Sequence, residues 1–87
     1  MPEISRFFGI VIRMYFKDHN PPHFHVSYGK YEASINIDNF AIIDGRLPPR
    51  IHGFVVEWAS IHKEELLDNW NKAKDLKAPK NIQPLLP

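Results

Sequence analysis

The chain contains no cysteine, and that absence removes several kinds of chemistry at once. Disulfides, thiolate metal sites and a cysteine nucleophile are all excluded. Long hydrophobic runs are missing as well. No wholly apolar stretch approaches the ~20 residues that a membrane-spanning helix needs. The opening residues, Met1-Pro2-Glu3-Ile4-Ser5-Arg6, lack the basic segment and apolar run of a secretion signal. The expectation is a soluble, cytoplasmic protein with no membrane partner. A dominant charge is also absent: 11 Lys and Arg offset 10 Asp and Glu, for a net charge of +1. Composition therefore makes no demand for nucleic acid. The glycines at 9, 29, 45 and 53 fit no phosphate-cradling loop. No motif supports a serine nucleophile.

What is present suits one compact unit. Over 87 residues the hydrophobic fraction is 44% and the aromatic fraction 13%, enough for a single core. We read residues 1–87 as one domain. From Phe8 to Phe16 apolar residues alternate strictly, with Phe8, Ile10, Ile12, Met14 and Phe16 on one face. That period of two marks a half-buried strand. Asp18–Pro22 breaks it, because the prolines at 21 and 22 remove two backbone donors. Alternation resumes in Phe24, Val26 and Tyr28. Gly29-Lys30 reads as a hairpin turn. A third strand places Tyr31, Ala33, Ile35 and Ile37 inward, and Phe40–Ile43 reads as a short fourth strand.

After Leu47-Pro48-Pro49 the period becomes helical. Ile51, Val55, Trp58, His62, Leu66 and Trp70 recur every three or four residues, which predicts one long amphipathic helix to about Leu76. Residues 77–87 form a tail interrupted by three prolines, whose Ile82, Leu85 and Leu86 are apolar enough to dock on the domain or on a partner. The predicted fold is two-layer α+β: a small antiparallel sheet of three to four strands packed on one long C-terminal helix.

The chemistry concentrates in Asp18-His19-Asn20-Pro21-Pro22-His23-Phe24-His25-Val26, which holds three of the five histidines. If Phe24 and Val26 face the helix, His23 and His25 face the open side. Arg13 and Tyr15 from the first strand and Glu32, Ser34 and Asn36 from the third join them there. A metal reading follows from the His-x-His spacing: His23 and His25 share an ion, zinc or nickel, with His19 or Glu32 as third ligand. A metal-free catalytic reading uses His23 and His25 as general base and acid across a phosphodiester. Arg13, or nearby Lys17, then stabilises the developing negative charge and Tyr15 orients the nucleophile. The blander alternative is that the histidines are ordinary strand and turn residues. His62 on the buried stripe and His52 early in the helix are left outside the site.

Pro2-Glu3-Ile4-Ser5-Arg6-Phe7-Phe8-Gly9-Ile10, the Asp18–Val26 stretch, Glu57-Trp58-Ala59, His62 and Asn69-Trp70 together resemble a bacterial family, domain of unknown function 4160. The resemblance implies a small bacterial protein whose gene stands beside another short gene in candidate toxin–antitoxin pairs. The partner it implies is the small protein encoded by that neighbour. Combined with the His-rich face, this makes RNA or the translation machinery the expected target of a toxin-like component. The alternative is a non-enzymatic metal-binding or adaptor domain. The family supplies no catalytic residue to transfer.

Overall fold

The computed structural model describes residues 2–87. Five strands, β1 (Glu3–Phe7), β2 (Ile10–Arg13), β3 (His23–Tyr28), β4 (Tyr31–Asn36) and β5 (Ile42–Gly45), precede two helices, α1 (Pro49–Ile61) and α2 (Lys63–Lys74). The sheet is an antiparallel meander in the order β1-β2-β3-β4-β5. The α+β class stands. The expected three to four strands become five, and the single long helix becomes two.

The extra strand arises from a change of phase that alternation alone hides. Phe8 and Gly9 both take positive φ, 52° and 78°, and make a two-residue turn between β1 and β2. Phe7 pairs with Ile10 across that turn, so Phe7 enters the core while Phe8, expected inside, is 42% exposed. β2 stops at Arg13, and Phe16 is likewise exposed. The chain then leaves the sheet for α2, where the Lys17 amide donates to the Ala73 carbonyl (3.2 Å). The inward apolar positions expected of β3 and β4 are observed: Phe24, Val26, Ala33, Ile35 and, just past β4, Ile37 are buried, while Tyr28 and Tyr31 at the β3–β4 turn are half-buried. The fourth predicted strand is displaced toward the C-terminus, because Phe40 adopts φ 62° in the turn that Asn36 and Asn39 brace.

The helix breaks at His62 (φ −113°, ψ 25°), which contains neither proline nor glycine. The His62 amide is shared between the carbonyls of Trp58 and Ala59, each at 3.2 Å, and the Leu66 amide bonds the His62 carbonyl (2.9 Å). The hydrogen-bonded ladder thus continues through the break, as does the buried stripe of Ile51, Val55, Trp58, Leu66, Trp70 and Ala73. A local tightening of the last turn of α1 is consistent with both.

Trp58 is the centre of the core. It is fully buried, with its ring 5.5 Å from Phe7, 5.8 Å from Phe24 and 5.7 Å from His62. Its indole N–H donates to the Gln83 carbonyl (2.9 Å), so the tail satisfies a polar group that burial would otherwise strand. The tail also covers the free edge of β1, where the Ile82 amide donates to the Ile4 carbonyl (2.7 Å). Buried Asn69 clamps it by donating to the Lys80 carbonyl (2.8 Å) and accepting from the Lys80 amide (2.9 Å). Ile82 is buried, whereas Leu86 remains exposed.

Candidate metal centre

The corner between β2 and β3 folds the Asp18 carboxylate back over the start of β3. His23 Nε2 lies 2.9 Å and His25 Nε2 2.8 Å from the same oxygen, Asp18 Oδ2. His19 instead binds the other oxygen: its amide donates to Asp18 Oδ1 (3.0 Å), and its Nδ1 lies 3.0 Å away. The Asn20–Pro21 peptide is cis. Among the described residues, Asp18, His23 and His25 form a set whose ligand atoms all lie within 4.8 Å of one another.

The outer nitrogens of the two rings face oxygen. His23 Nδ1 donates to the Pro21 carbonyl (2.7 Å), and Ser34 Oγ lies 3.4 Å from His25 Nδ1. A histidine whose Nδ1–H is held by a carbonyl presents a lone pair at Nε2, the usual arrangement behind a metal-ligating imidazole. The His23 ring therefore has an acceptor at both ends. A proton or a cation shared between Nε2 and the carboxylate satisfies both contacts.

The hydrogen bonds inside the cluster also set the charge on Asp18. Burial pushes the Asp18 carboxyl up, but hydrogen bonds from His25 and His19 and the field of the His23 ring outweigh it, lowering it from 3.8 to about 2. Asp18 is thus an anion at any physiological pH, as a ligand must be.

The structure brings together only part of the predicted site. His23 was expected on the open face, but it is 5% exposed. The Trp70 ring covers it at 5.2 Å between centroids, because α2 passes over the start of β3 where the sheet ends. His25 does lie on the open side, 4.3 Å from the Tyr15 ring. It stands opposite Arg13 on β2 and Ser34 on β4. Arg13 is turned to donate to Ser27 Oγ (3.2 Å) rather than to the cluster. The His19 side chain is 89% exposed and sits on the far oxygen of the carboxylate. Glu32 faces Ser27 across the β3–β4 pair and lies outside the cluster. Asn36 binds the following turn.

Asp18 is the residue that sequence reasoning passed over as a ligand. Its signal is in the sequence: a carboxylate opens the same corner, five positions ahead of His23. A hollow of about 220 Å³ opens onto the cluster, bounded also by Asn20, Ser34 and Asp44. It adjoins a second hollow of about 330 Å³ over the sheet face, lined by Tyr15, His25, Ser27, Glu32, Ser34 and Asp44.

The family model described as Domain of unknown function (DUF4160) matches residues 9–71. The chain belongs to that family. The matched segment of this DUF4160 protein runs from the β1–β2 turn into α2, and so contains all three residues of the cluster and the Trp70 that covers it. β1 and the tail that pairs with it lie outside the match. Comparison with curated proteins and comparison with solved structures each give no match. No helix among the described residues is long and apolar enough to cross a membrane.

Proposed function

We propose that this DUF4160 domain binds a divalent transition metal through Asp18, His23 and His25. What carries the reading is the convergence of two imidazole nitrogens on one carboxylate oxygen, at 2.9 and 2.8 Å, with the carbonyl of Pro21 behind His23. Two nitrogens and one carboxylate oxygen form a set suited to zinc, nickel or iron(II), and three protein ligands leave coordination positions for water or a substrate. The hollow bounded by Asn20, Ser34 and Asp44 lies beside the cluster and would admit either. Bound metal would act there as a Lewis acid.

The same geometry favours an ion over a metal-free acid/base pair. His23 and His25 share one partner atom instead of flanking a space for a phosphodiester, and His23 is enclosed. The test is calorimetric titration of chelator-treated protein with zinc and with nickel. One equivalent should bind to the natural chain and to His19→Ala, with loss of binding in Asp18→Asn and His25→Ala. Undiminished binding in those two variants would refute the assignment.

A second proposal, a toxin-like component of a two-gene module acting on RNA or translation, draws support from the exposed apolar surface. Ile61 and Leu86 are each 65% exposed, and with Pro84 and Leu85 they border one hollow, a surface suited to a small protein partner. Growth arrest on expression, relieved by the neighbouring gene, is the expected result. Absence of arrest would count against it.

A further inference from the structure

Far from the metal cluster, at the opposite end of β3, the structure gathers aromatic rings and cations. Tyr28 and Tyr31 pair across the β3–β4 turn, and Tyr28 also pairs with Ile10 beside the Phe8-Gly9 turn. Phe8 packs on Phe54 of α1, with ring centroids 5.2 Å apart. Phe8, Tyr28, Phe54, Ile51 and Arg50 line one hollow of about 470 Å³. Lys30 Nζ and Arg46 Cζ lie 5.7 and 5.3 Å from the Tyr31 ring centroid, and Arg50 Cζ lies 5.7 Å from that of Phe54. Among the described residues none of these three cations forms an ion pair. The nearby carboxylates Glu32 and Asp44 line the hollow on the other face of the sheet. α1 begins here with no acidic residue in its first turn, so its positive end adds to the field.

Phe8 supplies a separate observation. A bulky residue at φ 52° is locally unfavourable, and the two-residue turn it occupies favours Asn-Gly. Phenylalanine here holds a ring that packs on Phe7 and Phe54 yet stays 42% exposed, at a cost to the turn. Strain of this kind clusters at binding surfaces.

We infer that this end of the domain binds single-stranded nucleic acid, with the exposed Phe8 ring as the stacking surface, half-buried Tyr28 and Phe54 as the floor beneath it, and Lys30, Arg46 and Arg50 as phosphate contacts. A planar base needs an exposed ring, which Phe8 supplies at 42% exposure, and the backbone needs unpaired cations around it. A duplex hides the base faces and does not fit this platform. The inference names a surface for the RNA that the second proposal invokes, but it uses none of the metal ligands. Its test is direct binding rather than growth, so the two fail independently.

The test is fluorescence anisotropy of the full chain with a labelled single-stranded RNA of about a dozen nucleotides, alongside the corresponding duplex. Three phosphate contacts should give a slope near −2 in a plot of log affinity against log salt. Combining Lys30→Ala, Arg46→Ala and Arg50→Ala should abolish that slope. Phe8→Asn should weaken binding about tenfold at unchanged slope, while melting no lower than the natural chain. The better turn offsets the lost ring packing on Phe7 and Phe54, and the unchanged melting separates lost stacking from lost folding. Absence of binding at low salt, equal affinity for the duplex, or full competition by an acidic peptide of matched charge would each overturn the inference.

Discussion

Asp18 makes acid stability a sensitive probe of the cluster in the metal-free protein. Its carboxyl lies at about 2 in the folded chain against an ordinary value of 3.8. A group whose folded value is depressed contributes stability that is fully present above the unfolded value and is lost as pH falls through the folded one. The window is therefore about pH 4 down to about pH 2. A shift of nearly two units corresponds to about 2 kcal/mol at 1.36 kcal/mol per unit. The side chain is only 18% exposed, so solvent screening takes little of it. Asp18→Asn retains the shape but cannot carry the charge, and should flatten this limb of the stability curve. Urea unfolding of chelator-treated protein at half-unit steps between pH 2 and pH 7 measures it. Parallel curves for the natural chain and Asp18→Asn across pH 4 to 2 would refute the reasoning.

Three further outcomes are expected. Ser5 is buried in β1 and its hydroxyl has no partner, so Ser5→Ala should raise stability by about 1 kcal/mol in urea unfolding. Asn69→Ala removes both hydrogen bonds to Lys80 and should cost about 2 kcal/mol, with the tail becoming sensitive to protease before the rest of the domain. Gly45 has φ 78°, and a Cβ there would lie 2.1 Å from the Glu32 carbonyl oxygen. Gly45→Ala should accordingly lower the unfolding midpoint by the equivalent of about 2 kcal/mol or more.

Much of the fold was legible because β3, β4 and the helical stripe follow the simple periods of two and 3.6. β1 was not, since a two-residue turn realigns the alternation: Phe7, not Phe8, pairs with Ile10, and only the backbone at Phe8-Gly9 reveals it. The helix break at His62 has no proline or glycine to announce it. At the site, sequence placed His23 and His25 near one another but not on opposite sides of a burial boundary. Strand alternation assumes a sheet covered uniformly by its helix layer, but Trp70 of α2 packs on His23 at the start of β3. The role of Asp18 depends on how the Pro21-Pro22 corner turns back, which spacing alone does not specify.

Titration of chelator-treated protein with cobalt(II), followed by visible absorption, tests the metal assignment most directly. Ligand-field bands should saturate at one equivalent, be displaced by zinc, persist in His19→Ala and vanish in Asp18→Asn. A spectrum indistinguishable from aqueous cobalt, or bands that survive Asp18→Asn, would contradict it.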